Sequence, residues 1–411
     1  MAEIDTGDTA WVIVSTALVM LMTPGLAFFY GGLVRRKNVL SIMMQCFMLL
    51  AVISIQWVLF GYSLAFGPDH GGVIGDFSWA GLRGVGAEPN ADYAPTIPHQ
   101  LFMVFQMMFA VLTPALIVGA FAERMKFGAF LLFSVLWATV VYDPMAHWVW
   151  GMGGWLRDLG ALDFAGGTVV HINAGMAALA AALVIGRRKG YPDTSPPHNL
   201  PFVILGAALL WFGWFGFNAG SALGANGLSV SALVATQLGA ATAAVAWAVM
   251  EWGKGRHATA LGTISGAVAG LVAITPAAGF VTPVGAMAIG ALSGPGCYFC
   301  VVVMKRRLGY DDSLDAFGVH GVGGTLGALL TGLWATTTVN AAGADGLLHG
   351  NAGLLLRQLV ALAVCAAYSF IVSYGLLKLV DGLVGLRVGE DKESIGLDLT
   401  QHSESAYTLI G

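Results

Sequence analysis

The sequence predicts an all-α polytopic membrane protein, and its composition and its pattern of apolar runs support this fold class. Of its 411 residues, 57% are hydrophobic and only 10% are charged, whereas about one quarter of a typical soluble domain is charged. The mean hydropathy is +0.76. The apolar residues gather into runs of about 20, the number that crosses the roughly 30 Å hydrocarbon layer as a helix.

Eleven of these runs are predicted to be transmembrane helices. They cover approximately residues 9–31, 39–66, 99–122, 127–145, 168–187, 200–219, 227–252, 259–277, 283–304, 315–336 and 351–385. The opening "MAEIDTGDTA" is short and acidic. It lacks the basic region of a cleaved signal peptide, so the first helix is expected to insert as it stands. The predicted organisation is a transmembrane domain over residues 1–385 and a tail over residues 386–411.

The basic residues predict how the chain is oriented in the membrane. Alternate connections contain Arg35, Arg36 and Lys37; Arg124 and Lys126; Arg187, Arg188 and Lys189; Lys254 and Arg256; and Lys305, Arg306 and Arg307. The connections on the opposite side contain only Arg83 and Arg157. Because basic residues collect on the cytoplasmic side, the N-terminus is predicted to lie outside and the tail in the cytoplasm.

Eleven spans, with five in each half of the chain, predict two repeats of opposite direction. Because five is odd, the second repeat begins on the opposite side of the membrane from the first. Five spans within residues 9–187 and five within 200–336 would be inverted relative to each other, as in many transporters, with one long final helix at 351–385. His171 falls on the fifth span and His320 on the tenth, so both rings are expected near the midplane. Asp163 and Asp315 precede them, and we expect each to cap its helix start rather than to contact a substrate.

The two histidines lie in similar apolar stretches, "DFAGGTVVHINAG" (163–175) and "DAFGVHGVGG" (315–324). An ionisable residue within a membrane is by default a functional candidate. Two neutral imidazoles can hydrogen-bond each other and keep one donor and one acceptor free. Such a pair suits a small neutral solute, or a proton moved with it. The alternative is that each ring only fills space and is satisfied by a backbone carbonyl.

Aromatic residues provide a second candidate site. "MVFQMMFAV" (103–111) and "WFGWFGFNAGSA" (211–222) lie within spans, and "HWVWGMGGW" (147–155) lies in a predicted outer loop. Aromatic faces attract cations, by about 2 kcal/mol for each desolvated contact. Interface aromatics are common in membrane proteins, which explains Trp148 and Trp155 but explains Phe109 and Phe217 less well.

Two further motifs are the early "PGLAFFYGGLVRRKN" (24–38) and the tail "LRVGEDKESIGLDL" (386–399). Together with the two histidine stretches and "WFGWFGFNAGSA", these five separated motifs resemble the ammonium transporter family (Amt/Mep/Rh), and in particular its prokaryotic Amt branch. The resemblance covers nearly the whole chain. Two departures are Asp143 in "YDPMAH", where an apolar residue is expected, and "HSESAY", which lacks the glycine common in family tails.

The resemblance implies a homotrimer with one pore per subunit and a role for each candidate residue. Trp150, Ser221 and Phe109 match an outer recruitment site for ammonium, and Asp163 matches the buried acid that supports it. Phe109 and Phe217 match a stacked gate, and His171 and His320 match pore-lining twin histidines. Phe105 and Trp214 are expected to line the route.

The expected function is ammonium transport across the cell membrane of a prokaryote, without enzymatic activity. Ammonium, or methylammonium in its place, would lose its proton at the aromatic site, and ammonia would pass along the histidines. The resemblance also suggests a PII-type signalling protein as a cytoplasmic partner. The alternatives are an ammonium sensor, disfavoured by a tail too short for a signalling domain, and a haem protein, which a colourless preparation would exclude.

Other classes of site are not expected. The four cysteines lie in apolar runs, which disfavours a disulfide framework. Cys297 and Cys300 form a CxxC pair with no second pair or nearby histidine to complete a zinc site. We therefore expect no metal, no cofactor and no nucleic-acid partner, and the net charge of -4 indicates little about other partners.

Overall fold

The structure is a computed structural model that describes residues 3–192, 196–255 and 257–407. Its principal helices are α1 (Thr6–Leu33), α2 (Arg36–Phe66), α3 (His99–Phe121), α4 (127–150), α5 (Gly167–Ile185), α6 (Leu200–Gly220), α7 (Gly227–Gly253), α8 (Ala260–Ile274), α9 (Pro283–Leu308), α10 (317–334) and α11 (Ala352–Val384). Short helices cover Trp155–Leu159, Glu390–Ile395 and Leu397–His402. The connection between α2 and α3 holds two antiparallel pairs of strands, β1 (Asp69–His70) with β2 (Ile74–Gly75) and β3 (Pro89–Asn90) with β4 (Ala94–Pro98).

The helices confirm the predicted class of all-α membrane protein. Within the described ranges, nine helices are long and apolar enough to cross a membrane. α8, with 15 residues, is shorter, and α10 is not among the nine. The count of eleven spans and their orientation therefore stay predictions. Arg256, one of the basic residues used to predict the orientation, lies outside the described residues.

Polar residues begin several of the helices. The Asn226 side chain accepts hydrogen bonds from the backbone N–H groups of Leu228 and Ser229, and the Asn226 N–H donates to the Ser229 hydroxyl. This capping box starts α7. The Thr259 and Thr282 side chains each accept from one backbone N–H group in the first turns of α8 and α9. Because N–H groups at a helix start have no partner within the helix, these side chains define where the helices begin.

Glycine allows the helices to approach one another closely. α1 packs along α6, and a Cβ atom added to Gly206 would lie 2.2 Å from the backbone nitrogen of Phe29. α7 packs against α8 and α9, where a Cβ atom on Gly290 would lie 2.3 Å from the carbonyl oxygen of Gly239. Small residues are the usual means of tight helix packing in lipid, which explains much of the chain's high glycine content.

Five of the helices contain a π-helical turn. α2 has one at Trp57–Gly61, α4 at Ala138–Tyr142, α5 at Gly167–Ile172, α9 at Phe299–Met304 and α10 at Phe317–Gly321. The turns in α4 and α9, and those in α5 and α10, occupy corresponding places in the two predicted repeats. This correspondence supports the predicted inverted repeat. Single π-turns are frequent at functional sites, and those of α5 and α10 contain His171 and His320.

α5 and α10 approach each other at these turns. A Cβ atom added to Gly175 would lie 2.1 Å from the backbone nitrogen of Gly321, so no larger residue fits there. The two π-turns are in direct contact. The approach of the two backbones therefore brings the two histidines together.

Candidate functional site

The side chains of His171 and His320 face each other inside the helix bundle. Their Nδ1 atoms lie 3.3 Å apart, and their rings are stacked, with centroids 5.3 Å apart and planes inclined by 17°. Both side chains are buried. One Nδ1 must donate a hydrogen and the other must accept it, so at most one ring of this pair is charged. The Nε2 atom of His171 has no hydrogen-bond partner among the described residues.

Aromatic rings continue the stack from His171 along α6. The His171 ring is stacked with that of Trp214 at 5.4 Å and with that of Phe217 at 6.0 Å between centroids. Trp214 and Phe217 are three residues apart, which places them on one face of a helix. The Trp214 indole donates from Nε1 to the Thr275 hydroxyl at 2.8 Å, which fixes the plane of its ring. Nothing in the sequence pattern singles out Thr275 as a partner of Trp214.

Phe109 joins this stack to the tryptophan at the end of α4. The centroid of its ring lies 4.2 Å from that of Phe217, with planes inclined by 33°. It lies 6.0 Å from the ring centroid of Trp150, with planes nearly perpendicular at 89°. Phe105, one turn earlier on α3, contacts Phe109 edge-on at 5.0 Å. The predicted gate pair is therefore in contact, and Phe109, Phe217 and Phe105 are all fully buried. Trp150 is only partly buried.

Asp163 supports Trp150 and also caps α5. Its carboxylate oxygens accept four backbone N–H groups, those of Gly166, Gly167, Thr168 and Val169, at 2.7–3.1 Å. Its carbonyl oxygen accepts from the Trp150 Nε1 atom at 2.9 Å. The expected capping role is thus observed, and the four bonds occupy the carboxylate. The link to Trp150 is made by the backbone, which the sequence pattern does not reveal.

The expected capping role of Asp315 is wrong. The side chain that caps α10 is Asp312, which accepts from the backbone N–H of Ala316 at 3.1 Å and of Phe317 at 2.8 Å. Asp315 has a φ of +62°, and its carboxylate pairs with the Lys305 ammonium at 2.5 Å. The unusual backbone conformation directs Asp315 away from the helix start.

Ser221 lies at the C-terminal end of α6, one turn beyond Phe217. Its hydroxyl donates to the Phe217 carbonyl at 2.8 Å, which leaves the oxygen lone pairs available to a donor such as ammonium. The side chain is partly buried. The structure places Ser221 next to the aromatic stack through this bond.

His147 was not identified from the sequence, and it positions the segment before Trp150. It is fully buried; its Nδ1 contacts the Ala65 carbonyl at 3.0 Å and its Nε2 contacts Asp69 at 2.9 Å. The hydrogen bond from His147 lowers the pKa of Asp69 from its ordinary value. The contact ties α4 to the loop after α2. A buried histidine beside three tryptophans was the available signal, but its partners are about 80 residues away in the chain.

Two cavities adjoin the histidines. A narrow cavity of about 10 Å³ lies beside both rings and is otherwise lined by apolar residues and Trp214. A larger cavity of about 190 Å³ lies on the side of the basic connections and is lined by Tyr30, Asp315 and Glu251 as well as by His320. His320 borders both cavities. The narrow cavity is therefore apolar apart from the histidines, whereas the larger cavity also has ionisable side chains in its mainly apolar lining.

A network of charged residues occupies the basic end of the helices. Glu123 accepts from Arg35 at 3.0 Å and from Arg188 at 3.3 Å, and Arg188 also pairs with Asp311 at 2.8 Å. Burial alone would raise the pKa of Glu123, but Arg35 and Arg188 outweigh it and hold the pKa below its usual value. Burial likewise opposes ionisation of Asp311, but the hydrogen bonds and charge of Arg188 lower its pKa.

The tail docks onto this end of the bundle. Glu393 accepts from the Lys189 backbone N–H at 2.6 Å and from Arg387 at 2.7 Å. Asp398 accepts from the Ser41 N–H at 2.8 Å, at the start of α2, and Asn38 accepts from the Leu397 N–H at 2.8 Å. These bonds join the tail to two separate parts of the chain, the connection at Lys189 and the start of α2. None of these contacts could be predicted from spacing.

Comparisons with known proteins find similar proteins over nearly the whole chain. Residues 10–407 match the family described as Ammonium Transporter Family. An ammonium transporter of Bacillus subtilis is 57% identical over 401 residues, which are 98% of each chain. The crystal structure of Saccharomyces cerevisiae Mep2 is similar with a TM-score of 0.88 and 38% identity, covering 95% of this chain and 89% of that one. A structure titled as a sensor Amt protein has a TM-score of 0.89 and 31% identity, covering 96% and 98%.

Proposed function

Since the chain belongs to the ammonium transporter family, it transports ammonium as a multi-pass protein of the plasma membrane, and we propose a route for that transport. Ammonium is captured on the outer side by Trp150, Phe109 and Ser221 and loses its proton there. Ammonia then passes Phe109 and Phe217 and moves along His171 and His320. The observation that supports this route best is the unbroken series of ring contacts from Trp150 to His320.

Capture depends on contacts that ammonium makes and an apolar solute does not. The Trp150 ring at the partly exposed end of the stack offers a cation–π face, and the Ser221 hydroxyl offers an acceptor. Each desolvated cation–π contact is worth about 2 kcal/mol. Asp163 keeps Trp150 in place through its carbonyl oxygen. Its carboxylate is used by the helix start, so its part in recruitment is to orient the site.

The gate and the histidines select against bare ions. Phe109 and Phe217 are fully buried and 4.2 Å apart, so one of the rings has to move for a solute to pass. Beyond them the cavity wall is apolar except at the histidines. An unpaired charge is strongly disfavoured in such surroundings. Ammonium avoids this cost by deprotonation, whereas potassium cannot.

We also propose the assembly and the partner that the resemblance implies. The chain forms a homotrimer with one pore per subunit, and a PII-type signalling protein binds at the cytoplasmic face. The docked tail and the two exposed carboxylates of "GEDKES" (389–394), those of Glu390 and Asp391, support such a face. Affinity purification from nitrogen-replete cells, with and without nucleotides, is expected to recover this partner. Its absence under all these conditions would contradict the proposal.

Electrical and pH recordings on reconstituted proteoliposomes test transport itself. An ammonium pulse is expected to produce an internal pH change, and a sustained current in addition if the proton follows ammonia. The control is a preparation of the His171→Leu variant at equal protein density. If ammonium binds but neither signal appears, the protein acts as a sensor rather than as a transporter, which the similarity to the sensor Amt structure makes the relevant alternative.

A further inference from the structure

A buried carboxylate lies between α2 and α4, outside the proposed route. Asp143 follows the π-turn of α4 directly, and Gln56 precedes the π-turn of α2 directly. Asp143 is 0% exposed and Gln56 is 3% exposed. The Gln56 Nε2 atom donates to Asp143 Oδ2 at 2.8 Å and to the Thr139 hydroxyl at 3.2 Å. The two helices are therefore joined by side chains where both backbones are irregular.

This cluster contains more acceptors than donors. Asp143 Oδ1 and Gln56 Oε1 have no partner among the described residues, and both are acceptors when the carboxyl group is ionised. The Thr139 hydrogen is used by the Val135 carbonyl at 2.8 Å. The Gln56 amide already donates twice. Asp143 and Gln56 are thus hydrogen-bonded to each other, yet each has one buried acceptor oxygen that receives no hydrogen bond.

Within the part of the chain that the structure describes, no positive charge compensates Asp143. In the described part of the chain, no lysine, arginine or histidine forms a salt bridge with it. Its titratable neighbours are tyrosines: Tyr142, whose ring packs against Trp57, and Tyr368 of α11, which donates to the Val140 carbonyl. An unpaired charge at this depth is costly, and a protonated carboxyl group is both neutral and a donor.

We propose that Asp143 is a proton-binding site, occupied at neutral pH, whose O–H group joins α2 to α4 through Gln56. A proton supplies the missing donor with no further ligand. A metal cation fits less well because the cluster offers few oxygens, whereas calcium takes 6–8, and the described residues contain no group of three or more potential His, Cys, Asp or Glu ligands. Loss of the proton would place a charge between the two helices and loosen their contact. This site does not depend on the proposed route of ammonium.

Infrared spectra of the reconstituted full chain at neutral pH test the proposal. The carbonyl band of a protonated carboxyl group is expected in the wild type and is expected to be missing in Asp143→Asn. Gln56→Leu should keep the band and shift it toward the position of a carboxyl group without a hydrogen-bond partner. Asp69→Asn is the matched control, because the Asp69 carboxylate is partly exposed and paired with His147, and its removal should leave this band unchanged.

Thermal unfolding of the same proteins gives a second measurement. Asp143→Asn replaces a neutral acid with a neutral amide of the same shape, so it should lower the melting temperature less than Gln56→Leu does. The proposal would be overturned if the infrared difference spectrum between the wild type and Asp143→Asn showed only ionised carboxylate bands. Failure of Asp143→Asn to fold would also overturn it, as would a melting temperature that rises with sodium in the wild type and not in the variant.

Discussion

The Nδ1 atoms of His171 and His320 share a hydrogen bond of 3.3 Å across 149 positions of the chain. The bond orients both rings. Because each ring uses its Nδ1 atom, the Nε2 atom of each ring is directed away from the other ring. Nε2 of His171 then has no partner within the described residues. A solute that can form hydrogen bonds can therefore bind to this Nε2 atom. An apolar side chain of equal size at position 171 would offer the solute no hydrogen-bond partner.

Replacing either histidine with leucine is expected to reduce ammonium flux about tenfold or more. Each lost hydrogen bond is worth about 1 kcal/mol net, and more in a dry site, and about 1.4 kcal/mol corresponds to tenfold in rate. Flux is measured by the internal pH change of proteoliposomes after an ammonium pulse. His198→Leu is the matched control, because His198 contacts the Val34 carbonyl in a connection. Equal flux in all three variants would assign the pair to packing.

His171→Asp tests the barrier to bare ions. A carboxylate in the narrow cavity would attract water and cations, so the cost of moving an unneutralised ion through it should fall. We expect this variant to retain ammonium current and to exclude potassium less well than the wild type. Potassium and ammonium currents are compared on the same membranes. Complete potassium exclusion alongside normal ammonium current would show that selectivity arises elsewhere.

The helices and the histidine pair could be predicted from the sequence because both depend on local patterns. Apolar runs of spanning length predict helices, and two similar motifs predict two similar environments. Asp312 was missed because three acids precede α10 and the backbone conformation of Asp315 decides between them. His147 was missed because its partners lie in another part of the chain. The shortness of α8 was missed because its apolar run continues beyond the point where the helix ends.

Trp150→Leu and Ser221→Ala are expected to weaken ammonium capture. Loss of one cation–π contact of about 2 kcal/mol should raise the half-saturating concentration by about thirtyfold, with less effect at saturation. Trp150→Phe keeps an aromatic ring but removes the hydrogen bond to the Asp163 carbonyl. It therefore distinguishes the contribution of the ring to ammonium binding from that of the bond that positions it. Uptake is measured across a concentration series. Trp155→Leu serves as the control, since Trp155 packs on Trp148. Unchanged uptake at limiting ammonium in the double variant would disprove the assignment.

Asp163→Ala is expected to destabilise the protein, by about 3 kcal/mol or more. Hydrogen bonds to charged groups contribute about 1.5–3 kcal/mol each, and this carboxylate accepts four. Asp163→Asn retains one acceptor oxygen and should lose less. Melting temperatures in detergent are compared with those of Asp315→Ala, which removes an acid near a helix start that makes no cap. Equal losses in the Asp163 and Asp315 variants would contradict the capping assignment.

Asp311 and Asp312 are adjacent, yet they are expected to respond to pH in opposite directions. Arg188 outweighs the effect of burial and lowers the pKa of Asp311, so its ionised form stabilises the fold above about pH 4, the value of an unfolded aspartate. That contribution is lost as the pH falls through the lower folded-state pKa. Burial instead raises the pKa of Asp312 to about 6. Its contribution is most favourable below about pH 4 and declines as the pH rises from about 4 to 6.

The two asparagine variants separate these effects. Asp311→Asn should lower the melting temperature at neutral pH and differ less from the wild type at pH values below about 4. Asp312→Asn preserves a capping side chain, because asparagine is a good N-cap, and it removes the charge that is buried at neutral pH. Its melting temperature should therefore fall less than that of the wild type between about pH 4 and 6. Melting temperatures of the three proteins are recorded across this pH range. Parallel curves for both variants and the wild type would show that neither acid makes a pH-dependent contribution to stability.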